Sequence, residues 1–152
     1  MSRFEDALDA AGIVDLNVRR FPAGTRTAED AARAVGCDVA QIVKSLVVLA
    51  GKTPALALVS GANRLDLSRL EPHLGAVSRL ASATEARDAT GYSVGGVPPV
   101  GLLTPLRVVM DADLLEHDVV WAAAGAPDAV FSITPQRLRE LTRADVIDLR
   151  AR

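Results

Sequence analysis

Two β-prone runs, Ser45 to Ala50 and Ala55 to Ser60, are separated only by Gly51–Lys52–Thr53–Pro54, whose residue types favour a turn. Apolar, strand-forming segments on either side of such a connection predict an antiparallel hairpin. No other pairing is so tightly specified by the chain, so the fold must contain a β-sheet with these two strands side by side.

The flanking segments carry alternating helix and strand signals. Ser2 followed by Phe4, Ala7, Leu8 and Ala11 predicts a first helix stopped by Gly12, and Val14 to Phe21 a strand ending at Pro22. Thr27 with Asp30 three residues on, then Ala31, Ala32 and Val35 before Gly36, predicts a capped helix. Asp38 with Gln41 and Ile42 opens a second, short helix that hands over to a strand at Lys44. Beyond the hairpin, helices are expected at Leu67 to Leu74 and at Thr84 to Ala89, the latter capped by Thr84, with a short strand at Val77 to Ala81 between them. Arg107 to Met110, Val119 to Ala123 and Val130 to Ile133 read as strands. Thr134–Pro135 starts a last helix that runs to about Thr142, and Val146 to Leu149 returns to the sheet. Because strands and short helices intermix without a βαβ rhythm, the expected class is α+β: a mixed, mostly antiparallel, curved and barrel-like sheet surrounded by short helices. With 152 residues, 49% of them hydrophobic, the chain can build one continuous core, and a single domain over residues 1–152 is expected.

Composition narrows the function by exclusion. The longest apolar run, Leu46 to Ala50, falls far short of the roughly 20 residues that span a bilayer. Met1–Ser2–Arg3–Phe4–Glu5 does not resemble the start of a signal peptide, so a cytoplasmic protein with no membrane partner is expected. Cys37 is the sole cysteine, and His73 and His117 lie far from it and from each other; neither an internal disulfide nor a metal or cofactor site is expected. A formal net charge of −2 argues against the long-range attraction of a DNA-binding protein. The basic residues are nevertheless uneven, with Arg19, Arg20 and Arg26 near one end and Arg137, Arg139, Arg143, Arg150 and Arg152 near the other, which leaves room for a local basic surface.

The least ordinary stretch runs from Gly91 to Gly101, with Gly95–Gly96, Pro98–Pro99 and Gly101 in close succession. Glycines permit close backbone approach and prolines fix φ, so the loop could aim its remaining amides at a carbonyl or phosphate oxygen, or serve as a rigid connection. It has neither the Lys–Ser/Thr pair of a phosphate-binding loop nor dinucleotide glycine spacing. Lys44 stands inside an apolar run, Ile42 to Val48, so its stem must run along apolar surface; its ammonium could snorkel to water or supply a point charge for a phosphate or oxyanion. Ala122 to Pro127 is a small-residue loop that could be a tight turn or leave space for a ligand. Asp111 and Asp113 flank an expected turn, and neither a catalytic carboxylate pair nor a Ser/His/Asp arrangement is recognisable.

Four segments, in this order, resemble the YbaK family, the free-standing relatives of the editing domain inserted in bacterial prolyl-tRNA synthetases. They are Arg26 to Ala32, Gln41 to Leu46, Gly91–Tyr92 with Gly95 to Gly101, and Gly125 before Thr134–Pro135; the resemblance covers about Val18 to Leu149. It implies a barrel-like mixed sheet and hydrolysis of a mischarged aminoacyl-tRNA, often tRNA for proline. The implied partners are the tRNA acceptor end and prolyl-tRNA synthetase, and no cofactor is implied. By matching position, Lys44 is similar to the essential lysine beside the scissile ester, and Gly95, Gly96 and Gly101 match the loop lining the reacting centre. Thr27, Ser45, Val97, Pro98 and Gly125 are implied to surround the substrate. Many relatives carry a polar or basic residue where this chain has Ala126–Pro127, and Val97–Pro98–Pro99 lacks the serine of cysteine-specific members, so the amino acid is not carried over. The matching motifs are expected to contain no general base, which leaves water or the vicinal ribose hydroxyl to attack. A non-catalytic domain that holds tRNA ends, a nucleotide or a synthetase is the other function such a cleft could serve.

Overall fold

A computed structural model describes residues 2–152. The hairpin forms its centre: β2 (Ile42–Ala50) pairs antiparallel with β3 (Thr53–Ser60) in continuous register from Val43↔Ser60 to Ala50↔Thr53. The turn is tighter than expected, being only Gly51–Lys52, with Gly51 at φ 62°. Pro54 belongs to the strand. In a two-residue hairpin the closing pair is hydrogen-bonded, so the next pair, Leu49↔Pro54, is a non-bonded one and the missing N–H faces away from β2.

The remaining elements are α1 (Arg3–Ala10), β1 (Val18–Arg20), α2 (Ala28–Val35), α3 (Leu67–Leu74), β4 (Ser78–Leu80), α4 (Ala83–Thr90), β5 (Arg107–Asp111), β6 (Val120–Ala123), β7 (Ala129–Ile133), α5 (Pro135–Thr142) and β8 (Asp145–Ile147). The sheet runs β1-β7-β6-β2-β3-β5-β8, with β4 on the far half of β2. Four pairings are antiparallel, and β2–β6, β3–β5 and β5–β8 are parallel. The α+β class and the mixed, mostly antiparallel sheet flanked by short helices are those the sequence predicts; the sheet is open, ending at β1 and β8.

Both faces of the central strands are covered, which is why β2 and β3 read as nearly unbroken apolar runs. On one face Val43, Val47, Leu56, Leu58, Met110 and Phe131 pack with Phe4 and Leu8 of α1, Leu138 of α5 and Tyr92, Val97 and Val100 of the glycine-rich loop. The Phe4 and Phe131 rings stack at 5.4 Å, a geometry worth about 1 kcal/mol beyond the area it buries. On the other face α3 contributes Leu70 against Val48, Ala57, Val59 and Val109, while α2 contributes Ala31 and Ala32 against Ile42 and Val130.

Local signals explain the boundaries that moved. Ser82, not Thr84, caps α4, because Ser82 and Glu85 form the reciprocal capping box: the hydroxyl accepts from the Glu85 amide at 3.2 Å and the carboxylate from the Ser82 amide at 2.9 Å. Asp38 and Gln41 form a similar box, yet it closes only a single 3-10 turn, Val39–Gln41. Lys44 is therefore the third residue of β2 and not a helix-to-strand junction. The first strand is shorter than Val14 to Phe21, and β8 lies at Asp145–Ile147 instead of Val146 to Leu149.

Candidate active site

Strand alternation decides where the polar residues of β2 go. Ile42, Lys44, Leu46 and Val48 share one face, and Val43, Ser45 and Val47 the other. The Lys44 side chain thus lies on the sheet face that α2 and α3 pack against. A cleft of about 420 Å³ opens there, bounded by Thr25 to Glu29, Ile42 to Leu46, Gly61, Val94, Gly95, Val97 and Trp121 to Ala123. Its walls are mostly small and apolar.

Lys44 is half-buried and its Nζ donates to the carbonyl of Asn63. Burial pushes its pKa below the ordinary lysine range, opposed by the fields of Glu29 and Asp111. No carboxylate among the described residues stands within ion-pair distance of Lys44, Arg26, Arg19, Arg3 or Arg87, whereas Arg79, Arg107 and Arg137 elsewhere are each paired. The first turn of α2 borders the same cleft. Thr27 caps it, its hydroxyl accepting from the Asp30 amide at 3.0 Å, so the positive end of the helix dipole lies beside the ammonium.

The nine residues expected at the site separate into three groups. Thr27, Lys44, Ser45, Gly95 and Val97 border the cleft together. The Ser45 hydroxyl, on the core side of β2, is buried without a hydrogen-bond partner among the described residues. Gly96 and Gly125 border a second depression of about 550 Å³ with Arg3, Arg87, Tyr92 and Ala126. Gly101 and Pro98 lie in neither: the Gly101 carbonyl accepts from the Tyr92 hydroxyl at 2.8 Å, and Pro98 is buried.

Packing explains the second and third groups. Three loops are tied into one knot, where the Thr25 amide donates to the Pro127 carbonyl at 2.7 Å, Gly96 lies on Ala126, and Gly95 lies on the Arg26 stem. A Cβ on Gly96 would come within 2.9–3.0 Å of the Ala126 backbone, and one on Gly125 within 2.8 Å of Phe4. The Gly96 amide is engaged by the Ser93 carbonyl at 3.0 Å, so it is not available to a ligand. Gly96→Val should accordingly cost stability, by about 1–3 kcal/mol, as overpacking against a fixed backbone does. The sequence alone suggests that the substitution damages activity more than stability; a thermal melt unchanged by it would restore that reading.

Sequence reasoning missed two features. Glu29 borders the cleft, so a carboxylate is present where none was expected. Beneath Lys44, the Asn63 side-chain amide donates to Asp111 at 2.9 Å and to Asp113 at 2.7 Å, and the Ser60 amide donates to Asp111 at 3.2 Å. Asp111 is fully buried. Its only signal in the sequence is an acid directly after the apolar run Val108–Met110. Among the described residues no three His, Cys, Asp or Glu side chains group as metal ligands. No helix of the described residues is long and apolar enough to cross a membrane.

The fold that carries this cleft is shared with known proteins. Residues 22–141 match the aminoacyl-tRNA editing domain model, and the chain belongs to that family. A solved structure described as a candidate trans-editing enzyme for prolyl tRNA synthetase superposes with a TM-score of 0.93 at 49% identity, covering 99% of this chain and 96% of that one. The uncharacterized protein YwhH of Bacillus subtilis is 29% identical over 86% of this chain and 83% of its own length. The proline–tRNA ligase of Streptococcus sanguinis is 29% identical over 82% of this chain but only 20% of its own length, so the chain spans about a fifth of that synthetase.

Proposed function

We propose that this protein is a trans-editing deacylase that hydrolyses the ester of a mischarged tRNA, with tRNA for proline carrying a small non-cognate amino acid as substrate. The observation that carries the reading is Lys44: a half-buried ammonium with no ion-pair partner among the described residues, in a cleft whose wall includes Ala28, Ala31, Ala122 and Ala123. In this reading the ester carbonyl lies against Lys44 and the first turn of α2. Water attacks the carbonyl carbon, and the negative charge that develops on the oxygen is met by the ammonium and the helix dipole. The tetrahedral adduct collapses, the C–O bond to the ribose breaks, and the ribose oxygen leaves with a proton. The water's proton is the one the ribose oxygen takes, relayed through the neighbouring ribose hydroxyl or carried by Glu29, the cleft's own carboxylate. An aminoacyl ester is reactive enough for positioning and charge stabilisation to suffice.

In this reading the choice of amino acid is made by volume, which separates large side chains well and one-methylene differences poorly. The likeness to the candidate trans-editing enzyme and to proline–tRNA ligases supports tRNA for proline and the synthetase as partners. The test is a panel of purified tRNAs charged with alanine, serine, cysteine or proline, assayed for ester loss; stability of all four esters would leave a binding domain as the better reading.

Affinity for tRNA should be salt-sensitive, since Arg19, Arg26 and Lys44 act locally on a molecule of net charge −2. With two to three phosphate contacts, a tenfold rise in salt should weaken binding roughly 25- to 100-fold. Filter binding across that range is the check, and a flat response would remove phosphate contacts from the account.

A further inference from the structure

Aromatic residues are scarce in this chain: three Phe, one Tyr and one Trp. Phe4, Phe131 and Tyr92 are buried in the core. The other two, Phe21 and Trp121, are half-buried and meet at one place, where the exposed Arg19 guanidinium lies 5.2 Å from the Phe21 ring centre and 5.4 Å from that of Trp121.

Strand register brings this cluster to the cleft. Arg19 is opposite Val130, Val130 opposite Ala123, and Trp121 opposite Ile42, so alternation places Arg19, Trp121 and Ala123 on the same sheet face as Lys44. Arg19 is about three strands, or roughly 14 Å, from the Lys44 strand. Trp121 is itself part of the cleft wall. An indole at the rim, backed by a guanidinium with no carboxylate partner among the described residues, is a combination suited to single-stranded nucleic acid: the ring takes a base and the cation its phosphate.

We propose that Phe21, Arg19 and Trp121 form a nucleobase subsite, in which Trp121 stacks on a base of the single-stranded acceptor end and Arg19 contacts the adjoining phosphate. This rests on the deacylase reading, and it adds an anchor for the RNA outside the reacting centre. Stacking is indifferent to base identity, so the subsite contributes affinity and placement, not choice of tRNA.

Trp121 is the chain's sole tryptophan, so its fluorescence reports the subsite directly. The probe is an uncharged RNA hairpin with a single-stranded 3′ CCA end, compared with the same hairpin abasic at its three terminal nucleotides, which keeps every phosphate. The intact end should quench the fluorescence and bind about tenfold or more tighter than the abasic one. Trp121→Ala, measured by filter binding, should abolish that difference, and Trp121→Phe should keep most of it; melting curves establish that both variants fold. Equal binding of the two hairpins, which would mean phosphate contact alone, overturns the proposal. Binding without a change in fluorescence, or no binding at all, overturns it equally. Quenching with every charged tRNA left intact would count against the deacylase and spare the subsite; ester loss without quenching would do the reverse.

Discussion

Lys44→Ala is expected to lower single-turnover deacylation by about 10²-fold or more, the usual consequence of deleting a positioned stabiliser of developing charge. The side chain leaves β2 on the cleft face, is half-buried, and has no carboxylate partner among the described residues, so in the deacylase reading its charge is free to meet the oxyanion. The hydrogen bond from its ammonium to the Asn63 carbonyl orients the charge without neutralising it. The fold should survive, since Lys44 belongs to none of the apolar clusters and the pairing Lys44↔Val59 uses backbone alone. Lys44→Arg should recover little: a planar guanidinium is wider than an ammonium, and the cleft wall beside it is fixed by Gly61, where a single added Cβ would meet the Val39 carbonyl at 2.4 Å. Rates within about twofold of wild type in folded Lys44→Ala, far from the ~10²-fold loss, would remove this residue from the mechanism.

Asp111→Ala should have the largest effect on stability of any polar substitution in the chain. The carboxylate is fully buried and accepts from the Ser60 amide, the Asn63 side chain and, through its other oxygen, the Asp113 amide at 3.2 Å. Alanine would leave these donors without an acceptor, at about 1–3 kcal/mol for each one that water cannot reach. A total of about 3 kcal/mol is expected in urea unfolding, enough to shift the midpoint while leaving its slope unchanged. Asp111→Asn keeps one acceptor oxygen and should lose less. A midpoint unaffected by Asp111→Ala would mean that water takes over its hydrogen bonds. The loss should also reach the cleft, because Asn63 holds Lys44 by its carbonyl and Asp111 by its amide.

Much of this frame was legible in the chain, wherever the determinant was local. The helix Leu67–Leu74 lies where the sequence puts it, and in the structure Asp66 caps its start and Gly75 ends it. Thr27 was read as a cap from its spacing to Asp30, and the hairpin from two runs joined by a turn. Lys44 was misplaced by two residues because a capping box can close a single turn as readily as a helix. The glycines misled for a related reason. Close approach is the inference at Gly96, but composition does not say what approaches, and it is Ala126; at Gly125 the small-residue loop leaves no space for a ligand, because Phe4 fills it. The Asn63–Asp111 bond joins residues 48 apart, and nothing in either neighbourhood announces the other.

The order of pairing in the sheet also bears on when the cleft can exist during folding. β2 and β3 close on each other through a two-residue turn, a local event of microseconds, so Lys44 reaches its strand early. The wall opposite arrives by the parallel pairing Ile42↔Trp121, which joins residues nearly 80 apart and must first overcome the entropy of closing that loop. Until β6 and β7 dock, the lysine has a strand but no pocket, and a chain that has made only its hairpin would hold the charge without anything to hold a substrate against it.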